Sequence, residues 1–298
     1  MNGPKVLILG AQGQLGQALS RHLAPLMPTV AWGRAELDLT QGDRLLAPVS
    51  QVQPTVIVNA AAYTAVDRAE TESELAHQVN AAAPGYLAQA AASVGARLFH
   101  ISTDYVFDGQ RSRPWPVDAP TAPLSVYGRS KLAGEQAVRS HLPDNHVIIR
   151  TAWVYGAQGP GNFVKTMVRL ARERPELRVV ADQIGTPTWT GDMAAAIATL
   201  IQTGEAVPPG TYHYTNSGVA SWYDFAVAIV EEARALGLDL AVERVVPIPS
   251  EDYPTPVERP AYSVLDCRTM TTLLGNPAPH WRHSLRTMLK EYLKELPS

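Results

Sequence analysis

Short apolar runs alternate with helix-period patterns through the first half of the chain. "KVLILG" is apolar at successive positions, as expected of a strand buried on both faces, and Leu15, Leu19, His22 and Leu23 then recur at helical spacing. "TVAW" predicts a second strand, a helix carrying Leu45, Leu46 and Val49 follows, and "TVIVNAAA" predicts a third strand. A long helical pattern from Glu72 to Val94, with Leu75, Val79 and Leu87 inward, leads to "ARLFHIST" as the fourth. The helix holding Tyr127 precedes "HVIIRTAWVYG", read as a fifth strand. Strand–helix alternation of this kind predicts an α/β fold with a doubly wound parallel, Rossmann-like sheet.

Beyond about Gly156 the regularity weakens and proline becomes frequent, as in "RVVADQIGTPTWT" and "VVPIPSEDYPTPVERP". "SWYDFAVAIVEEARALG" predicts a helix with Ser221 as N-cap, Asp224 completing a capping box and Gly237 as the stop. An amphipathic helix is expected around Leu285 to Leu296. The division expected is a dinucleotide-binding core over residues 1–155. Residues 156–298 complete the sheet and add a smaller C-terminal substrate-binding lobe interleaved with the core, the cleft between them being the natural ligand site.

Composition narrows the function classes. The chain has 298 residues, 46% of them hydrophobic, enough to bury a full core. Its net charge of -3 comes from 25 basic and 28 acidic residues without like-signed blocks, which argues against nucleic acid or a membrane surface as partner and favours a small molecule. The single cysteine, Cys267, excludes an intrachain disulfide and a thiol-held metal. No signal-peptide pattern and no long apolar run is present, so a cytoplasmic location is expected. His141 with His146, and His280 with His283, lack a third ligand at a plausible spacing, and no metal is assigned to them.

"GAQGQLG" places Gly10, Gly13 and Gly16 between the first strand and the first helix, where glycines permit a tight turn, close approach of a pyrophosphate and close helix packing. The second strand ends in "WGRAELD", with Gly33 and Arg34 where an acid would accept the ribose hydroxyls of NADH. Arg34 suits a 2′-phosphate, so NADPH is favoured with NADH as the alternative, although Arg34 also reads as a solvated cation and an inward Glu36 would repel a phosphate. Asp38 and Leu39 are placed to border the adenine. Small residues after the third strand, Ala60, Ala61 and Ala62, followed by Tyr63 and Thr64, leave room for a flat cofactor. In "SVYGRSKLAGEQ", Tyr127 and Lys131 share one helix face, a geometry that permits chemistry without proving it.

"STDYVFDG", "YGRSKLAGE", "VNAAAYTAVDRAE", "RTAWVYG", "NFVKTM" and "YPTPVERP" together resemble the extended short-chain dehydrogenase/reductase family, over most of the chain. The resemblance is to its nucleotide-sugar reductases rather than its epimerases and dehydratases. It implies NADPH-dependent reduction of the C4 ketone of dTDP-4-dehydro-β-L-rhamnose, with Tyr127 as proton donor, Lys131 as tuning cation and ribose ligand, and Thr103 as a second donor to the carbonyl. It adds Gln14, Leu15 and Ile101 to the cofactor contacts. For the substrate it implies Thr64, Val66, Thr103, Asp104, Tyr105, Trp153, Asn162 and, for the diphosphate, Arg259. Trp153 also reads as core, Arg259 as a surface cation and Asp104 as a turn former. Some members dimerise through magnesium-binding acids. The matching positions here are Gln17 and Gly191, with Glu291 alone retained, so a monomer or weak homodimer is expected. Two alternatives stay open: a reductase or epimerase for another nucleotide sugar, and a non-catalytic NADP-binding regulatory subunit of the methionine adenosyltransferase type.

Overall fold

In the computed structural model, which describes residues 3–295, β1 (Val6–Leu9) is buried at every position because both faces of its sheet are covered. Val6 and Ile8 point to one hydrophobic cluster, Leu7 and Leu9 to another. The same alternation holds in β3 (Val56–Asn59) and β4 (Arg97–Thr103), and in β5 (His146–Thr151) Ile148 faces away from Val147 and Ile149. A glycine turn connects β1 to α1 (Gln14–Leu23), and β2 (Thr29–Trp32) follows. His22 is exposed, so the inward stripe of α1 is Leu15, Leu19 and Leu23.

After β2 come a 3₁₀ segment (Leu39–Leu45), α2 (Leu46–Val52) and β3. The pattern between β3 and β4 is less uniform than its periodicity predicts. It comprises α3 (Val66–Ala69), α4 (Ser73–His77), a π-helical turn (Gln78–Ala82) and α5 (Ala83–Val94). Leu87 is buried as expected, whereas Leu75 and Val79 are half-buried beside the cleft described below. Beyond β4, α6 (Val126–His141) carries the Tyr127–Lys131 pair. The predicted fifth strand stops at Thr151. Trp153 takes φ +47°, a left-handed conformation that ends the strand, and the chain resumes in the two-residue β6 (Val154–Tyr155).

The second half contains α7 (Phe163–Glu173), β7 (Glu176–Val180), β8 (Ile184–Gly185), β9 (Thr188–Trp189), α8 (Thr190–Thr203), β10 (Gly210–His213), β11 (Ala220–Ser221), α9 (Trp222–Ala235), β12 (Arg244–Ile248), α10 (Arg268–Leu274) and α11 (Trp281–Glu295). The Ser221–Asp224 capping box is present and Gly237 takes φ +90°. Helix α11 begins earlier than expected, and its expected end at Leu296 lies outside the described residues.

The main sheet has the order β10-β5-β4-β3-β1-β2, with every pairing parallel. One face packs on α1, α8 and α10, the other on α2, α5 and α6. A separate cluster joins α7, α9, α11 and the parallel β7–β12 pair around Phe225, Ile229 and Leu285. The strand order reverses between β1 and β3, so their carboxyl ends flank the crevice that this topology reserves for a nucleotide. No helix among the described residues is long and apolar enough to cross a membrane.

Candidate active site

A cleft of about 840 Å³ opens over the carboxyl ends of β1, β3, β4 and β5. It brings together Gly10, Gly13, Gln14, Leu15, Gly33, Arg34, Asp38, Leu39, Ala60, Ala61, Ala62, Tyr63, Thr64, Val66, Ile101, Thr103, Asp104, Tyr105, Tyr127, Lys131 and Trp153. Gly16, Asn162 and Arg259 do not line it. A smaller cavity of about 200 Å³ beside Cys267 and Leu274 shares none of its lining.

The glycine turn is built for close approach. Gly10 has φ +79°, and a Cβ there would sit 2.7 Å from the backbone nitrogen of Ala61, so only glycine lets the ends of β1 and β3 meet. A Cβ on Gly16 would collide with the Gly10 carbonyl, which makes Gly16 a packing residue beneath the turn. Gly13 is the N-cap of α1, no side chain caps that terminus, and its first turn holds no acid. The free N–H groups and the helix dipole there fit a pyrophosphate.

At the rim, Arg34 is 75% exposed at its side chain and stands 3.7 Å from Asp38. Both nearby acids are committed to the backbone. Glu36 accepts from the Gly33 N–H at 2.8 Å, and Asp38 accepts from the Thr40 N–H at 3.0 Å, a bond that holds its carboxyl below the usual range. Arg34, paired only at long range with the Oδ2 of Asp38, is the cation placed to reach a 2′-phosphate.

Helix α6 is pinned closely under the cleft. Ser125 caps it by accepting from the Gly128 N–H at 3.0 Å, and a side chain at Gly128 would strike the Tyr105 carbonyl. Lys131 is 1% exposed and donates to the Ile101 carbonyl at 2.6 Å. Burial lowers its ammonium to about 8, with the Glu135 carboxylate opposing the shift. Tyr127 is driven the other way. Burial, then the neighbouring Asp104 and Tyr105, raise its phenol above the ordinary value, and the Thr103 hydroxyl is the single opposing influence. Lys131, expected to lower it, is occupied with Ile101. Tyr127 therefore holds its proton at neutral pH, the state a proton donor requires.

Glu135, one turn beyond Lys131, is fully buried and fully paired. Arg150 grips it through two bonds of 2.8 and 2.7 Å, Ser102 donates to it at 2.6 Å and Arg139 at 3.1 Å. Burial pushes the carboxyl up, but Arg150, Ser102 and Arg139 together keep it below its usual range. This knot fixes α6 to β4 between Ile101 and Thr103.

Sequence reasoning missed several contributors. Asn80, in the π-helical turn, accepts from the Tyr63 N–H at 2.8 Å and donates to the Tyr63 carbonyl and to Ser130, tying the segment after β3 to α6. Gly134 faces its carbonyl with no room for a Cβ. Helix-period reading hides an asparagine whose task is set by a π turn. Trp222 stacks on Trp153, with Leu75, Val79, Arg68 and Glu72 completing the cleft wall.

Two expected substrate ligands are engaged elsewhere. Asn162 caps α7 by accepting from the Lys165 N–H at 3.0 Å, and its amide donates to Gln14 and the Gly156 carbonyl. Arg259 makes a two-pronged pair with Asp67 at 2.8 and 2.7 Å and donates to the Tyr105 hydroxyl at 3.1 Å. Among the described residues no group of three or more His, Cys, Asp or Glu side chains could hold a metal.

Known proteins share this architecture. The family model described as "RmlD substrate binding domain" matches residues 4–294. A dTDP-4-dehydrorhamnose reductase of Burkholderia thailandensis is 44% identical over 98% of this chain and 100% of its own length. That of Escherichia coli is 41% identical over 96% of this chain and 97% of its own. The crystal structure of dTDP-4-dehydrorhamnose reductase from Bacillus anthracis in complex with NADP superposes with TM-score 0.89 at 39% identity, covering 97% of this chain and 99% of that one. On this full-length match the chain belongs to the RmlD family, that of the dTDP-4-dehydrorhamnose reductases.

Proposed function

We propose that the protein reduces the C4 ketone of dTDP-4-dehydro-β-L-rhamnose with NADPH, giving dTDP-β-L-rhamnose, and accepts NADH as a weaker donor. The observation that carries this reading is the meeting of Thr103, Tyr127 and Lys131 on one cleft wall, facing an uncapped glycine turn, in a chain 44% identical to a reductase of that name. NADPH, when bound, supplies the hydride.

The chain's own residues supply the rest. The α1 terminus and Gly10 receive the pyrophosphate, and Arg34 receives the 2′-phosphate. Tyr127 delivers its proton to the oxygen of the ketone, which becomes an alkoxide as hydride arrives. Its raised phenol must be brought down during reaction, and the positive charge on the oxidised nicotinamide acts in that direction. Thr103 orients the carbonyl, and Lys131 holds the ribose hydroxyls while bonded to Ile101. Trp153, held by Trp222, borders the sugar from the cleft wall. A regulatory subunit without turnover has no use for a lysine buried to 1%, since desolvating its charge is costly. The two sides of the cleft are read as a cofactor core and a substrate lobe.

Recombinant protein incubated with NADPH and the 4-keto sugar nucleotide should consume NADPH, and Tyr127→Phe should lower kcat by about a hundredfold or more. Equal rates for both proteins would refute the mechanism, and a preference for a different 4-keto nucleotide sugar would replace the substrate. We further propose a cytosolic monomer or weak dimer without a magnesium bridge: Gln17 spends its amide on the Gln12 carbonyl, and Gly191 offers no ligand side chain.

A further inference from the structure

Asp104 is 3% exposed, lies in the cleft wall between Thr103 and Tyr105, and leaves its Oδ2 without a hydrogen-bond partner. Its Oδ1 stands 3.0 Å from the Thr103 hydroxyl. The Thr103 oxygen in turn accepts from the Tyr105 N–H at 3.2 Å. A hydroxyl has one proton to give and two lone pairs to receive with. An ionised carboxylate only accepts, so beside it the Thr103 proton points at Asp104 and is withheld from the substrate. A protonated carboxyl reverses the bond. It donates to Thr103, whose two lone pairs are then filled by Asp104 and Tyr105, and the hydroxyl proton is released to the side of the Tyr127 oxygen, where the ketone is to be received.

We propose that Asp104 is a positioning residue that sets the direction of the Thr103 hydroxyl, so that the donor to the substrate carbonyl is present only while Asp104 carries a proton. The inference rests on the reductase reading. The surroundings favour such a proton. No cation among the described residues forms an ion pair with Asp104. Tyr127 faces it from α6 and Tyr105 from its own turn, Ser263 approaches from the segment before α10, and Arg259 is neutralised by Asp67 beyond the Tyr105 hydroxyl. Lys131 is turned to the Ile101 carbonyl. Burial pushes the carboxyl up to about 6, against the pull of the Ser263 and Thr103 hydroxyls and of the Asp104 and Tyr105 backbone N–H groups.

The test is an infrared pH titration of the full-length wild type, Asp104→Asn and Thr103→Val, paired with the pH dependence of kcat/KM. In the wild type a buried carboxylic acid band should vanish with a midpoint near 6, and Asp104→Asn should lack it. Thr103→Val removes a donor to the carboxylate, so its midpoint should rise; an unchanged midpoint overturns the proposal. Wild-type kcat/KM should fall about tenfold per pH unit above that midpoint. Asp104→Asn should lose this limb, and a variant that keeps it also overturns the proposal. If the wild type turns over no 4-keto sugar nucleotide yet the Thr103→Val midpoint rises, the reductase reading fails while the Asp104–Thr103 coupling stands.

Discussion

Trp153 and Trp222 stack face to face, with ring centroids 3.6 Å apart and planes 8° from parallel, joining the end of β5 to the first turn of α9. Trp153 holds its left-handed backbone while its indole lies against Gly185, where a Cβ would sit 2.5 Å from the ring. Trp153 is thus held by Trp222 and Gly185 while it lines the cleft. Trp222→Ala should raise KM for the sugar nucleotide about two- to tenfold, the worth of one aromatic pair, and leave KM for NADPH unchanged. Trp222→Phe should restore most of the loss. Steady-state kinetics with each substrate varied in turn decides it.

Lys131 should impose an alkaline limit. Its ammonium is lowered by burial to about 8, so the charged form is lost as pH rises through that value. In Asp104→Asn, which lacks the limb near 6, kcat should decline above about pH 8. Lys131→Met in the same background, with neither group to titrate, should be about a hundredfold slower at pH 7 and show no such decline.

Arg34 is the group expected to discriminate the cofactors. Its replacement by alanine removes a charge-assisted contact of about 1.5–3 kcal/mol, equivalent to a rise of about tenfold or more in Kd for NADPH. The Kd for NADH, measured by fluorescence titration, should move little. Equal weakening of both cofactors would remove Arg34 from the phosphate.

Glu135→Gln leaves Arg150, itself 3% exposed, without its carboxylate. Breaking such a buried pair costs about 3–5 kcal/mol, read by urea unfolding at pH 7. The wild-type pair also has a pH signature. Glu135 is held below its unfolded value, so its contribution is complete above pH 4.5 and is lost as pH falls through the lower folded value.

His213 is 1% exposed, with neither ring nitrogen bonded, and burial lowers it from 6.5 to about 4. Unfolding lets it take up a proton anywhere between those values. Stability should therefore fall by about 3 kcal/mol as pH drops from 6.5 to 4, a component absent from His213→Leu. Unfolding curves across that range compare the two.

The main sheet was largely legible because strands covered on both faces write continuous apolar runs, as in "VLIL" and "VIVN". The short strand Gly210–His213 was not, since its two half-buried residues followed by two buried ones, one of them a histidine, write no apolar run. The glycine turn was readable from its place between strand and helix, whereas for Tyr127 and Lys131 spacing gave a shared helix face and the family resemblance gave the roles. Asn162, Arg259 and Asn80 were opaque for one reason: the partner that engages each is remote in sequence. Asn162 donates to Gln14, Arg259 to Asp67 and Asn80 to Ser130, each far along the chain. Periodicity records which face a residue turns inward and carries no record of whom it meets.

After contributing α7 and β7 to the cluster around Phe225, the chain returns to the main sheet with α8 and β10, then leaves again for α9. Several crossings make the two sides of the cleft inseparable by any one cut. Such a protein cannot trade the cluster around Phe225 for a relative's as a cassette. A change in what the cleft accepts is expected to come from side chains on its wall, with the main sheet carried along unchanged.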